Sequence, residues 1–142
     1  MLEHSKLLEN AELASFETTI HEVLDIVQLD KSPGAKFVSD LTGVLDIQAR
    51  FDKRRLQRVM LNMATNALKF TKKGVIRFEA KIVKARDEKG VKHLIQISVT
   101  DQGIGISEED LPHIFTPFYR SQDENSQRMN SRGHGLGLYI CK

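Results

Sequence analysis

Apolar residues recur at Leu8, Leu13, Phe16, Ile20, Val23, Leu24 and Val27, mostly three or four positions apart. That spacing lines one face of a helix, expected over residues 5–29. The stretch "DKSPGAK" at 30–36 stops it with Pro33 and Gly34. Two short β-like runs follow, Phe37–Leu41 and Val44–Phe51, on either side of Gly43, and "VLDIQARF" alternates as a half-buried strand does. Asp52 stands where an N-cap belongs, opening a second helix that runs to about Phe70 and is ended by Gly74. The runs "VIRFEAKIVKA" and "KHLIQISVT" alternate cleanly around "RDEKG", which predicts a β-hairpin with one buried and one wet face. Ser107 opens "SEEDLPHIF", expected as a short helix with acids in its first turn. Residues 119–134 hold hardly an apolar side chain and form a long polar loop, of the kind that is either a functional lid or disordered. Leu136–Lys142 looks like the first turns of another helix. The order of elements gives an α+β protein: a two-layer α/β sandwich, its mixed, mostly antiparallel sheet carrying helices on one face.

The composition narrows the function classes. The chain has 142 residues, 40% hydrophobic and 28% charged, which suits one ordinary globular domain. A net charge of +2, with Lys and Arg spread among Asp and Glu, argues against nucleic acid and against an anionic membrane surface as partners. There is no apolar run of spanning length. The single cysteine, Cys141, excludes an internal disulfide, and no Cys/His spacing resembles a zinc site, so a reducing, cytoplasmic setting is expected. A membrane-anchored parent protein is compatible with all of this.

Candidate chemistry sits in three places. The second helix carries "NMATNALKFT", in which Asn62 and Asn66 are four apart and Lys69 follows three later, so all three share one face. Taken alone, such a face is ordinarily a solvated one. Amide oxygens are also good ligands for hard cations, and a neighbouring lysine can meet a phosphate. Two glycine-rich stretches, "DQGIGI" at 101–106 and "GHGLGL" at 133–138, add to this. Neither fits a P-loop, and Glu108 and Leu138 break the dinucleotide fingerprint. A carboxylate at Asp101, after a strand, can accept from an amino group, with Gly103 and Gly105 clearing room for a flat ring. Gly133, Gly135 and Gly137 lead into a helix whose free N–H groups favour phosphate.

The order of "NMATNALKFT", "DQGIGI", "IFTPFYR" and "GHGLGL" resembles the N, G1, F and G2 boxes of sensor histidine kinase catalytic domains. These belong to the gyrase, heat-shock chaperone, histidine kinase and mismatch-repair ATPase superfamily, with the Bergerat ATP-binding fold. The likeness begins by about residue 16 and reaches the last residue; "DKRRLQRVMLN" also matches the family's lead-in helix. The resemblance implies ATP and Mg²⁺ as ligands, with Asn66 as the metal ligand. It implies that Asn62 supports that ion or its water and that Lys69 contacts phosphate. Asp101 would accept the adenine amino group beside Gly103, Gly105 and Ile106. Phe115 and Phe118 would anchor the base of the lid, and Arg120 would reach toward phosphate. Gly133, His134, Gly135, Leu136, Gly137 and Leu138 would wrap the phosphate tail. Chaperone and gyrase relatives place a glutamate at the position of Asn62 to activate water. An amide cannot act as a general base, so slow hydrolysis and transfer of the γ-phosphate to a presented nucleophile are expected.

The resemblance further implies one catalytic domain over residues 1–142, with 1–15 as a remnant of the helix that links it to an upstream dimerisation domain. Neither His4 in "LEHSKL" nor His21 in "TIHEVLD" continues as a phosphoacceptor box. The expected partners are therefore a separate histidine-bearing dimerisation domain and a response regulator receiver domain. The family continues past its G2 box through a helix and two strands, whereas this sequence stops at Lys142. Either the sequence is a fragment, or the sheet is incomplete, with an exposed edge and a weakened core. His134 stands where Thr or Ser is more usual. Arg128 and Arg132 are either phosphate-pairing or solvated, and Cys141 is expected as a small packing residue. Three other readings stay open: a nucleotide-sensing pseudokinase module, a serine-phosphorylating anti-sigma-type kinase, and a plain ATPase.

Overall fold

A computed structural model describes residues 10–29, 34–121 and 137–141 of the protein. The chain enters through strand β1 (Glu12–Ser15), then helix α1 (Phe16–Gln28), strands β2 (Ala35–Gly43) and β3 (Gln48–Phe51), and helix α2 (Lys53–Phe70). Strands β4 (Gly74–Asp87) and β5 (Gly90–Thr100) follow, then a 3₁₀ turn at Leu111–His113 and helix α3 (Gly137–Cys141).

The first helix is shorter than expected. Residues 12–15 pair antiparallel with β3, Glu12 opposite Phe51 and Ser15 opposite Gln48, and the helix begins only at Phe16. The reason is local: Ser15 is extended and its hydroxyl accepts from the Thr18 amide at 3.2 Å, a standard N-cap. Phe16 stacks on Phe51 with ring centroids 4.3 Å apart, which fastens the helix start to β3. Residues 1–9, and with them His4, lie outside the described residues.

Helix α2 follows the expected bounds. Asp52 is extended and accepts from the Arg55 amide at 2.9 Å. Replacing it by alanine removes that cap and is expected to destabilise the fold by about 1 kcal/mol, read as a lowered midpoint in urea unfolding. The helix is capped by Thr71, and Gly74 opens β4 rather than closing α2. The strand expected over 44–51 is cut to 48–51. Residues 44–47 turn instead, with Val44 N–H donating to the Leu41 carbonyl and Ile47 N–H to that of Val44, and Asp46 takes a left-handed φ of 59°.

The sheet is mixed. Strand β2 runs parallel to β4, α2 lies in the crossover between them, and β5 pairs antiparallel to β4 as the hairpin predicted. A second, two-stranded ladder is β1–β3. On β4 Ile76, Phe78 and Ala80 are buried while Arg77, Glu79 and Lys81 are exposed. The buried set meets Ile20, Val23, Leu24 and Val27 of α1 and Met60, Ala64 and Ala67 of α2 in one core. This is the two-layer arrangement, helices over one face of the sheet. The segment after β5 is a series of turns with a single 3₁₀ turn, not the short helix expected; Pro112 inside it has no N–H to extend a helix. Among the described residues, no helix is long and apolar enough to cross a membrane.

Candidate nucleotide site

The site is built on the exposed flank and C-terminal end of α2. The apolar stripe of this helix faces the core, so the opposite face carries Asn62 and Asn66, both half-buried, and Lys69, exposed. Helix α3 lies against this face. Asn62 Nδ2 donates to the Gly137 carbonyl at 3.3 Å and approaches Cys141 Sγ at 3.8 Å. A carbonyl can only accept, so the nitrogen of Asn62 is committed to α3 and its oxygen is the end left for a cation. A Cβ at Gly137 would lie 4.0 Å from Asn62 Oδ1 and 4.0 Å from Asn66 Nδ2, so both amides and the start of α3 converge. The Asn66 amide makes no hydrogen bond to another described residue.

The "DQGIGI" loop hangs on the end of the same helix. Ile104 N–H donates to the Phe70 carbonyl at 3.2 Å. Asp101 Oδ1 accepts from Gly103 N–H at 2.8 Å, and Gln102 Oε1 accepts from Val75 N–H at 2.8 Å, which ties the loop to the start of β4. A Cβ on Gly103 would stand 2.4 Å from the Phe70 carbonyl oxygen and 2.8 Å from Asp101 Oδ1. The approach of the helix end therefore already requires glycine at 103. Gly105 differs: its φ is +75° and nothing lies within 4 Å of a Cβ there, so its glycine answers the backbone conformation. Ile104 and Ile106, 45% and 51% exposed, present apolar surface at this mouth.

Phe115 and Phe118, the residues expected at the base of the lid, are 43% and 71% exposed. Hydrogen bonds to Asp110 hold the residues that follow them. Tyr119 Oη donates to Asp110 Oδ1 at 2.5 Å and Ser121 Oγ to Asp110 Oδ2 at 2.6 Å, while Asp110 N–H donates to Ser107 Oγ at 3.1 Å. Those bonds, first Ser121's and then Tyr119's, hold the Asp110 carboxyl below its ordinary value of 3.8, and the Tyr119 phenol is pushed above 10.0 by the same bond. A lowered carboxyl favours the folded state above its unfolded pKa, and that contribution fades as pH falls through the folded one. An NMR titration is expected to give Asp110 a midpoint below 3.8; a midpoint at or above it contradicts the bonding. Nothing in the sequence marks Asp110 out, since in "SEEDLP" it reads as one more first-turn acid.

Cys141 Sγ donates to the Gly137 carbonyl at 3.3 Å, and burial pushes the thiol up while the Asn62 contact opposes this weakly. Alkylation at neutral pH is expected to be slower in the folded chain than in urea, since only the thiolate reacts. Arg120 is exposed, and Leu138 is half-buried in α3. Gly133, His134, Gly135 and Leu136, with Arg128 and Arg132, lie outside the described residues. A basic groove of about 690 Å³ lined by Arg54, Arg55 and Arg58 sits at the N-terminal end of α2, roughly a turn and more from Asn62. It is separate from the convergence of Asn62, Asn66 and Gly137.

Residues 51–142 match the family described as histidine kinase-, DNA gyrase B-, and HSP90-like ATPase. The chain belongs to this family. Two-component system protein A of Emericella nidulans is 32% identical over 96% of the chain, which spans 21% of that relative. Hybrid signal transduction histidine kinase F of Dictyostelium discoideum is 40% identical over 63% of the chain, and the chain spans 8% of it. The family fold also appears in solved histidine kinase structures. Full-length ShkA in complex with AMPPNP superposes with a TM-score of 0.69 at 23% identity, over 92% of this chain and 24% of that one. The nucleotide-free catalytic domain of histidine kinase ThkA gives 0.69 at 24% identity, over 92% and 76%. At these identities the likeness speaks to the fold, which is that of histidine kinase catalytic domains.

The donors fit the Mg²⁺ that the resemblance implies. Mg²⁺ is typically held by one or two protein oxygens plus substrate phosphates, not by an all-protein cage. Two convergent amides, one with its nitrogen already committed and one without a described partner, fit that need. Among the described residues no group of three or more His, Cys, Asp and Glu side chains competes for it.

Proposed function

We propose that residues 1–142 are the ATP-binding catalytic domain of a two-component sensor histidine kinase, working in the cytoplasm. The observation that carries this reading is the amide at position 62. Asn62 is locked against α3 through its nitrogen, and it offers an oxygen where a hydrolytic relative needs a carboxylate. An amide has no basicity with which to deprotonate water. The site therefore favours holding ATP until a nucleophile from another domain is presented.

Asn66, with support from Asn62, would hold Mg²⁺, which supplies charge neutralisation on the phosphates when bound. Lys69, one turn further along α2, would meet a phosphate oxygen. Asp101 keeps Oδ1 engaged with Gly103 N–H, so Oδ2 is the oxygen that would accept from the adenine amino group. Ile106 would flank the base, and Arg120, with the residues 133–138, would surround the phosphates. Catalysis then rests on positioning and charge rather than on a general base. The γ-phosphate would pass to a histidine on a separate dimerisation domain and onward to a receiver domain. The names of the relatives, a two-component protein and a hybrid histidine kinase, support that direction.

The test is phosphotransfer in trans. The chain is incubated with ATP, Mg²⁺ and a histidine-bearing dimerisation domain, and the product is read by mass spectrometry before and after mild acid. An acid-labile phosphohistidine is expected. An acid-stable phosphoserine would support the anti-sigma-type kinase, and nucleotide binding without any transfer would support the pseudokinase module.

A further inference from the structure

Arg120 lies between two residues bonded to one carboxylate. Tyr119 on one side donates to Asp110 Oδ1 and Ser121 on the other donates to Oδ2, at 2.5 and 2.6 Å. The turn just before them is unusual. Tyr119 N–H donates to the Thr116 carbonyl at 3.2 Å, closing a four-residue turn with Pro117 in second place. Phe118, in third place, has φ 61°. Turns with Pro in second place and a positive φ in third normally have Gly there. For a bulky aromatic residue this conformation is a rare one that surrounding contacts must hold. Core packing does not hold it, because Phe118 is 71% exposed. The contacts that follow it at once are the two bonds to Asp110. The carboxylate is itself fixed from behind, by Asp110 N–H on Ser107 Oγ at 3.1 Å and on the Ser107 carbonyl at 3.1 Å.

We propose that Asp110 is a positioning residue for Arg120. By clasping both neighbours of Arg120 it stabilises the left-handed turn at Phe118 and sets where the backbone of residue 120 stands. Tyr119 and Ser121 both reach Asp110, so the backbone on either side of Arg120 is tied to one carboxylate. The inference rests on the proposed function, because it matters only if Arg120 meets the ATP phosphates. Asp110 itself touches no ligand.

The experiment compares affinities for a non-hydrolysable ATP analogue and for adenosine by calorimetry, in wild type, Asp110→Ala, Arg120→Ala and the double variant. Thermal midpoints are recorded for each. Asp110→Ala is expected to weaken the triphosphate about tenfold, the equivalent of one charge-assisted contact, with adenosine unchanged. In the Arg120→Ala background the same substitution is expected to change nothing further. Equal weakening of adenosine and triphosphate, or a loss that persists without Arg120, would reduce Asp110 to a structural role and overturn the proposal. An Asp110→Ala chain that binds the triphosphate as wild type does would overturn it too. If Asp110→Ala fails to fold, Tyr119→Phe/Ser121→Ala removes the same clasp and is held to the same outcomes. A folded wild type that binds neither ligand overturns the proposed function itself, and the inference with it.

Discussion

Asn66→Ala is expected to weaken Mg²⁺-dependent binding of an ATP analogue by at least 100-fold, on the order of or beyond the 10–100-fold lost when an outer-shell partner of a metal is removed. The same change is expected to leave the fold as stable as before. The Asn66 amide has no hydrogen bond to another described residue, so its removal orphans no partner. Alanine is also the better helix former, by up to about 0.7 kcal/mol. Calorimetric titration and a thermal melt on the same sample check both halves. A variant that still binds in Mg²⁺, or one that melts several degrees lower, would show that Asn66 holds the helix and not the ion.

Gly103→Ala is expected to act in the opposite way, through the fold first. Its Cβ would enter at 2.4 Å from a backbone oxygen at the end of α2, and backbone cannot swing aside as a long side chain can. Overpacking of this sort costs roughly 2–3 kcal/mol, which lowers Tm by about 4 °C for each kcal/mol in a domain of this size. The displaced loop also carries Asp101, so nucleotide affinity falls along with stability. Gly105→Ala makes the informative companion. It meets open space and is strained only by its φ of +75°, so it should cost less than Gly103→Ala. Urea unfolding of the two variants ranks them directly, and the reverse order would mean that the loop does not sit against Phe70 as described.

The parts of the fold that could be read from the sequence are those whose signal is local. Asp52 before an apolar-periodic run marked the start of α2, and the alternation around "RDEKG" marked the β4–β5 hairpin. The stripe Ile20, Val23, Leu24, Val27 is the buried face of α1. What escaped depends on partners far away in sequence. "ELAS" at 12–15 has no alternation of its own and is a strand only because β3, 36 positions further on, receives it. The parallel pairing of β2 with β4 likewise has no local signature, since nothing in either strand specifies direction. In the site, residue types and spacing pointed to Asn62, Asn66 and Asp101, and the structure brings the two asparagines together with Gly137. Spacing could not reveal that Phe70 dictates Gly103, or that Asp110 clasps Tyr119 and Ser121. Both are contacts between segments that the sequence presents as separate motifs.

This chain is expected to bind ATP between the amide face of α2 and the loop at 101–106. The most direct test is a titration of the wild-type chain and of Asp101→Asn with a non-hydrolysable ATP analogue, with and without Mg²⁺. Wild-type binding is expected to be strengthened by Mg²⁺ and lost in Asp101→Asn, because an amide at 101 no longer offers a carboxylate oxygen to the adenine amino group. A folded wild-type chain that binds no nucleotide, or an Asp101→Asn chain that binds as wild type does, would contradict it.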